Sequence, residues 1–402
     1  MLVIVAPGQG AQAPGFLAPW LESSGFADRL NWLSAVAGID LAKYGTEADA
    51  ETIRDTAIAQ PLLVAASLAA AQEIVDAPDG AFSRAGALAG HSVGELAAAA
   101  GAGVLSAEQA MVLVRERGKA MAAAAQQTAT SMTAVLGGDR DEVLAKLAEH
   151  GVTAANDNGP GQVVAAGTVE QLAALSADAP AKARLVPLSV AGAFHTHHMQ
   201  PAVDVLAGYA RAVTTQDPRT RLISNADGQI VTDGQDMLQR LVKQVSAPVR
   251  WDLCLQTMSD LEVTGILELP PAGTLTGIAK RAMKGVETFA LKTPDQLDDA
   301  RAFIQKHSSE EHGSWAATEG EPAWRQLVAP MQGTFTRKGA TPRETGDSVE
   351  PGETVARITH ERDELAVTAP YGGTVAEWLV SEGDPVSPGQ PLVRLHPKAG
   401  GA

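Results

Sequence analysis

Over residues 1–305 the apolar positions fall into short runs separated by longer helical patterns. Leu2–Ala6, Ala85–Ala89, Thr133–Gly137, Val163–Ala166, Arg184–Val190, Gly265–Leu269 and Thr288–Leu291 have the length and the small or β-branched content of strands. Gln60–Ala77 is apolar almost all round, which predicts a buried helix. A second helix is predicted immediately after Ala85–Ala89, running through Ala100, and a longer one over Ser106–Ala125. Strands alternating with helices predict an α/β domain with a mostly parallel sheet.

At Ser308 the pattern stops. Residues 306–324, including Ser308-Ser309-Glu310-Glu311-His312-Gly313-Ser314, are polar and without period, and read as a linker. Residues 325–402 are rich in Gly, Pro and Val, with short strand candidates and turn signals, an all-β composition. An internal repeat runs through them. Gly346-Asp347-Ser348-Val349-Glu350-Pro351-Gly352 returns as Gly383-Asp384-Pro385-Val386-Ser387-Pro388-Gly389, and Ala329-Pro330 with Gly333-Thr334 returns as Ala369-Pro370 with Gly373-Thr374. Paired half-motifs predict a pseudo-twofold β-sandwich whose turns are made by the Gly-Asp and Pro-Gly pairs.

The 402 residues are enough for two or three domains, and 45% hydrophobic with 19% charged residues excludes a mostly disordered chain. A formal net charge of −16, spread along the chain, argues against a general nucleic-acid binder. The single cysteine, Cys254, can form neither an intrachain disulfide nor a Cys-rich zinc site. Apolar runs such as Leu62–Ala71 fall short of the roughly 20 residues of a membrane span. Met1–Pro7 lacks the basic start of a signal peptide and reads as a buried strand. A soluble cytoplasmic protein is expected, with no membrane and no nucleic acid among its partners.

Gly90-His91-Ser92-Val93-Gly94 is a G-x-S-x-G elbow between a strand and a helix. The sharp turn presents the serine hydroxyl at the sheet's edge, and the following helix aims its N-terminus at the same place, favouring a developing anion. The plainer alternative is a Gly-rich turn with a capping serine. A serine nucleophile needs a base. Of the nine histidines, Phe194-His195-Thr196-His197-His198 holds the only downstream cluster within the α/β part. Without an acidic companion the cluster is a poor metal site, so no metal is expected. Pro7-Gly8-Gln9-Gly10-Ala11-Gln12 follows the first strand and offers exposed N–H groups suited to an oxyanion hole or a phosphate cradle. It lacks the full G-x-G-x-x-G pattern of a dinucleotide site.

Together with Arg117-Gly118-Lys119, Asn158-Gly159-Pro160-Gly161-Gln162, Ala193-Phe194-His195 and Gln244-Val245-Ser246-Ala247-Pro248-Val249-Arg250-Trp251, the elbow (with Glu95) and the N-terminal loop occur in the order found in malonyl-CoA:acyl carrier protein transacylases. Over roughly residues 1–300 the chain resembles that family, most of all its actinobacterial form used in fatty-acid synthesis. The resemblance implies an α/β-hydrolase-like large subdomain and a ferredoxin-like small one inserted near Thr128–Ser189, with the site in the cleft between them. It implies that Ser92 attacks the malonyl thioester and that His195 shuttles the proton, oriented by main-chain carbonyl groups near Gln244. The N–H groups of Gln9 and Val93 would form the oxyanion hole, and Arg117 would bind the malonyl carboxylate. Gln244 and Asn158 are further substrate-side positions, and Phe194, with Val93, goes with malonyl over methylmalonyl preference. Chemistry agrees on Arg117, since a planar guanidinium holds a carboxylate through two parallel bonds. On the residues alone it is a surface charge beside Arg115 and Lys119. The family's usual Gly-Pro-Gly after the late strand is here Pro270-Pro271-Ala272-Gly273, expected to alter only a turn.

The implied donor is a coenzyme A thioester, malonyl-CoA, and the implied acceptor is a holo acyl carrier protein. Carrier proteins are acidic, so docking on this acidic chain needs a local basic patch. Lys280, Arg281 and Lys284 lie at helical spacing and are candidates for it, or else a solvated face.

Residues 327–396 resemble a biotinyl/lipoyl domain, specifically the carrier domain of acetyl-CoA carboxylase, through Ala329-Pro330-Met331-Gln332-Gly333-Thr334-Phe335 and the Gly-Asp repeats. Such hammerhead domains present a lysine at a hairpin tip. Here His360-Glu361-Arg362-Asp363-Glu364 puts Arg362 in that place, and the only C-terminal lysines are Lys338 and Lys398. No biotin, lipoate or other covalent cofactor is expected. What remains is a docking or tethering module, a natural partner for an acyl-CoA carboxylase subunit, or a decayed domain that aids folding or oligomerisation. The whole chain is expected to transfer malonyl through a malonyl-Ser92 intermediate, in fatty-acid or polyketide synthesis. The alternatives are a serine thioesterase or hydrolase, which has no need of Arg117, and a carboxylase scaffold, which has no need of Ser92, His195 and Arg117 together.

Overall fold

A computed structural model describes residues 1–75, 79–190, 192–308, 325–337, 343–360, 363–369 and 372–397. In chain order the first eleven strands are β1 (Leu2–Ala6), β2 (Ala87–Gly90), β3 (Thr130–Gly137), β4 (Thr153–Asp157), β5 (Gln162–Thr168), β6 (Ala183–Pro187), β7 (Arg221–Ile223), β8 (Ile230–Val231), β9 (Val249–Arg250), β10 (Gly265–Glu268) and β11 (Glu287–Ala290). They form two sheets, β11-β10-β1-β2-β7-β8 and β6-β3-β5-β4-β9.

The six-stranded sheet is parallel except for β8. Every residue of β1 and β2 is buried. A central parallel strand is covered on both faces, so it is apolar or small at every position instead of alternating. Helix Thr56–Ile74 is capped by the Asp55 side chain, which accepts the Ala57 N–H. It starts earlier than the apolar run because Asp55 stops the chain before polar Thr56, and Ala77, the expected end, lies outside the described residues. This helix is long and apolar enough to cross a membrane, but 78% of its most apolar window is buried within the fold, as a core helix requires. Helix Ala107–Ala125, opened by a Ser106–Gln109 capping box, carries Arg117 on its buried side.

The second sheet is antiparallel in β6-β3-β5-β4. With helices Arg140–Glu149 and Val169–Ala177 it is a β-α-β-β-α-β unit, the ferredoxin-like insert, spanning Thr130–Pro187. Three of the strands read in the sequence belong here and not to the parallel sheet. An apolar run has the same pattern in either kind of ladder, so periodicity could not separate them. β9 pairs parallel to β4 and ties the insert back to the large subdomain.

Helix continues through residues 306 and 307, which the polar composition assigned to a linker. Helix Leu297–His307 includes Lys306 and His307, and the His307 ring is buried against Gly265 with its centroid 4.5 Å from that of Phe303. Burial of this one aromatic residue extends the helix into a stretch that reads as polar. Residues 309–324 lie outside the described residues.

The C-terminal strands are β12 (Arg325–Val328), β13 (Gly333–Thr336), β14 (Ser348–Val349), β15 (Glu353–His360), β16 (Asp363–Ala369), β17 (Gly373–Trp378), β18 (Pro385–Val386) and β19 (Pro391–Pro397). They build two facing sheets, β12-β19-β17-β14 and β16-β15-β13-β18. The repeat is visible in this order: β13 and β14 of one copy occupy the places of β17 and β18 of the other, each in the opposite sheet. Phe335, Ile358, Val349 and Leu392 fill the space between. His360 pairs with Asp363 between β15 and β16, while Glu361, Arg362, Lys338 and Lys398 lie outside the described residues. The β-domain meets the arginine-bearing helix: Arg115 Nη2 donates to the Pro330 carbonyl at 2.7 Å, and Gly389 lies against Val112 and Val213.

Candidate active site

β1 and β2 lie side by side, so the loops after them, Pro7–Gln12 and the elbow at His91–Val93, emerge together at one end of the sheet. At the elbow the chain leaves β2 and enters helix Gly94–Gly101 within three residues. Both glycines are obligatory there. A Cβ on Gly90 would sit 2.0 Å from the Gly94 carbonyl carbon, and one on Gly94 would sit 2.3 Å from the Ala6 oxygen. Ser92 at the apex has φ +53, a left-handed backbone that non-glycine residues rarely adopt.

The Ser92 Oγ is 2.7 Å from His195 Nε2. His195, also left-handed at φ +61, is buried, and its Nδ1 is 2.8 Å from the Gln244 carbonyl oxygen. A carbonyl can only accept, so Nδ1 carries the proton and Nε2 turns its lone pair to the serine hydroxyl. Burial first, and the Arg117 charge second, push the His195 pKa down to about 3, against the pull of the carbonyl hydrogen bond. The imidazole is therefore neutral at physiological pH and free to take a proton.

Arg117 is 3% exposed. Its Nη1 donates to Gln60 Oε1 at 2.7 Å, and its Nη2 donates to Gln244 Oε1 at 2.9 Å and to Ser92 Oγ at 3.3 Å. Two amide oxygens fix the guanidinium without neutralising it, and it makes no ion pair among the described residues. Burial lowers its pKa to about 10, still well above neutrality. Lys119 is exposed, and Arg115 is occupied by Glu116, Val36 and Pro330.

Neither the Gln9 nor the Val93 backbone N–H has a hydrogen-bond partner among the described residues. The Gln9 side chain is anchored away from the elbow, on the Arg54 carbonyl at 3.1 Å and Thr56 Oγ1 at 3.3 Å. Phe194 is buried in an apolar cluster with Met121, Ala124 and Met132. Asn158 does not touch Ser92: its Oδ1 is 2.8 Å from Nε2 of His91, whose ring stands edge-on to Trp251. It links the elbow to the small subdomain. Lys280 and Arg281 end helix Thr274–Ala282, exposed, with Arg281 donating to Gln162 Oε1 at 2.6 Å across the subdomains. Lys284 lies past the helix end, so the helical spacing expected for all three basic residues holds for only two.

Three buried groups of the site escaped the sequence reading as functional residues. Gln60 sits in an otherwise apolar helix, Asn225 in a loop after a three-residue strand, and Glu95 in the first turn of the elbow helix, where it reads as a helix-start acid. Glu95 is completely buried, and that burial raises its pKa to about 8 despite hydrogen bonds from Asn225 and Gln244 and the nearby Arg117 charge. No spacing signals these partners: Gln60 and Asn225 are far from Ser92 and Arg117 in the chain, and Glu95, three residues after Ser92, has the place of an ordinary first-turn acid.

A histidine that leans on a carbonyl in place of a carboxylate, and a buried arginine beside the serine with no ion pair among the described residues, set this site apart from serine proteases and esterases and place the protein among acyltransferases. Residues 3–306 match the acyl transferase domain family, and residues 325–395 match the biotin-requiring enzyme family. Over 299 residues, 74% of this chain and 99% of the relative, the chain is 49% identical to the malonyl CoA-acyl carrier protein transacylase of Mycobacterium tuberculosis. The crystal structure of MCAT from Mycobacterium tuberculosis superposes with a TM-score of 0.71 at 49% identity, covering 75% of this chain and 99% of that one. A malonyl-transacylase solved in complex with its holo type II PKS acyl-carrier protein matches at a TM-score of 0.68 and 30% identity, covering 75% of this chain and 99% of that one. The chain belongs to the malonyl CoA-acyl carrier protein transacylase family.

Proposed function

We propose that the chain moves a malonyl group from malonyl-CoA to the phosphopantetheine thiol of an acyl carrier protein, by way of a malonyl ester on Ser92. Ser92 Oγ attacks the thioester carbonyl while His195 Nε2 takes its proton. The charge that develops on the carbonyl oxygen falls to the unpartnered N–H groups of Gln9 and Val93, each typically worth about 3 kcal/mol in the transition state. The intermediate collapses with loss of the coenzyme A thiolate, which takes the proton back from His195. In the second half-reaction the carrier thiol gives its proton to His195 and attacks the ester, and Ser92 recovers its proton as it leaves. Throughout, the malonyl carboxylate lies on Arg117, and Gln244 and Phe194 bound the acyl group.

The observation that carries this reading is Arg117: a buried cation that makes no ion pair among the described residues, 3.3 Å from the nucleophile. A serine hydrolase of neutral esters gains nothing from burying such a charge, which costs several kcal/mol in desolvation. The relatives' names agree with the acyl donor and acceptor. The reaction uses no bound cofactor and proceeds in the cytoplasm. The β-domain, residues 325–402, stays without biotin or lipoate and serves as a docking module, with an acyl-CoA carboxylase subunit as its partner. Incubating the protein with malonyl-CoA and holo carrier protein and following malonyl on the carrier tests the assignment. Release of free malonate with no carrier product refutes it in favour of the hydrolase.

A further inference from the structure

Ser92 holds a backbone conformation that costs a non-glycine residue on the order of 1–3 kcal/mol, so something must hold it there. β2 ends at Gly90 and its neighbour β7 ends at Ile223, so the backbone ladder between them stops where the elbow begins. The side chain of Asn225 takes over. Its Oδ1 accepts the Ser92 N–H at 2.8 Å, and its Nδ2 donates to the Gly90 carbonyl at 2.8 Å. One amide spans the turn as a peptide group of a longer strand would. A primary carboxamide offers a donor and an acceptor in that fork whatever the pH.

Asn225 is itself fixed. It is fully buried, its carbonyl accepts the Arg250 N–H at 2.8 Å, and its N–H donates to Glu95 Oε1 at 2.7 Å. The other oxygen of Glu95 accepts from Gln244 Nε2, which also donates to the Ser92 carbonyl at 3.1 Å. Both peptide groups of the nucleophile are therefore gripped by side chains, the N–H by Asn225 and the C=O by Gln244, and Glu95 joins the two grips. Gln244 also touches Arg117 and His195.

We infer that Asn225, locked by Glu95, is a positioning residue for the nucleophile, holding Ser92 at the angle from which its hydroxyl meets both His195 and the acyl carbon. The inference rests on the reading of Ser92 as nucleophile, and its test separates the two. The full chain and its N225A, E95A and E95Q variants are compared in single-turnover acylation by malonyl-CoA, and in labelling by phenylmethylsulfonyl fluoride, which carries no carboxylate for Arg117. N225A is expected to slow both reactions about 10- to 100-fold, the range for a lost buried hydrogen-bond partner, while the KM for malonyl-CoA moves by less than about threefold. E95A is expected to follow N225A, and E95Q, which keeps an oxygen for the Asn225 N–H but sets an amide nitrogen against Gln244 Nε2, to recover part of that loss. The Glu95 pair carries the test if N225A does not fold. Labelling and acylation of N225A at the wild-type rate, or a loss confined to KM, overturns the inference. If wild type and S92A are equally unreactive to the sulfonyl fluoride and to malonyl-CoA, the nucleophile assignment fails, and this inference with it.

Discussion

On the proposed reaction, replacing Arg117 by Ala removes the cation assigned to the malonyl carboxylate, which an acetyl donor lacks. The truncation has two costs. Gln60 Oε1 and Gln244 Oε1 lose their partner, a penalty of about 1–3 kcal/mol for buried acceptors that applies to either donor. The malonyl carboxylate loses a desolvated bidentate cation, which costs about 2–5 kcal/mol and applies to malonyl alone. At about 1.4 kcal/mol per tenfold, the ratio of kcat/KM for malonyl-CoA over acetyl-CoA should fall by roughly 30-fold to several thousand-fold. Single-turnover acylation of Ser92 by each donor, in wild type and R117A, measures that ratio directly and cancels any common loss. R117K should fall between, since an ammonium keeps the charge but cannot reach two amides and a carboxylate at once. Equal losses for both donors would refute the carboxylate role and leave Arg117 as a structural cation that fixes Gln60 and Gln244.

Other predictions follow from the same site. With the His195 pKa held down to about 3, the acid limb of the acylation rate lies far below the 6.5 of an ordinary histidine; a midpoint near 6.5 would show that the base is solvated. Glu95 keeps its proton in the native state up to about pH 8 but loses it near 4.5 when unfolded, so its contribution to stability is present below pH 4.5 and is lost as pH rises through 8. Denaturant titrations at several pH values should show that slope flattened in E95Q, and an unchanged slope contradicts the buried neutral carboxyl. F194A should raise methylmalonyl-CoA relative to malonyl-CoA turnover by about tenfold, the scale of one methyl group, and an unchanged ratio removes Phe194 from the selectivity.

The parts of this architecture that repeat or turn sharply were legible in the sequence. The Gly-Asp and Pro-Gly pairs marked the corners of the β-sandwich because turns need those residues, and the copies β13 and β17 were recoverable from Gly333-Thr334 and Gly373-Thr374 alone. Gly90 and Gly94 marked the elbow for the steric reason seen in their contacts with Gly94 and Ala6. The histidine cluster was legible as a source of the base, the resemblance singled out His195 within it, and it supplied Arg117, which the residues alone left as a surface charge. Short strands were not legible: β7, β8 and β9 have two or three residues, too few for any period, and they are set by pairing with distant strands. Of the polar layer beneath Ser92, the resemblance supplied Gln244, while Asn225 was invisible. Asn225 and Gln244 reach the elbow only because the loop after β7 and the C-terminal end of helix Gly234–Gln244 converge there, and a lone amide in a sequence carries no sign of what it will meet.

The most direct test is the intact mass of the purified protein before and after malonyl-CoA, with S92A as control. A single malonyl adduct is predicted, absent from S92A and discharged by holo acyl carrier protein with malonyl appearing on the carrier. A full-length protein that acquires no adduct, or acquires one equally in S92A, contradicts the account.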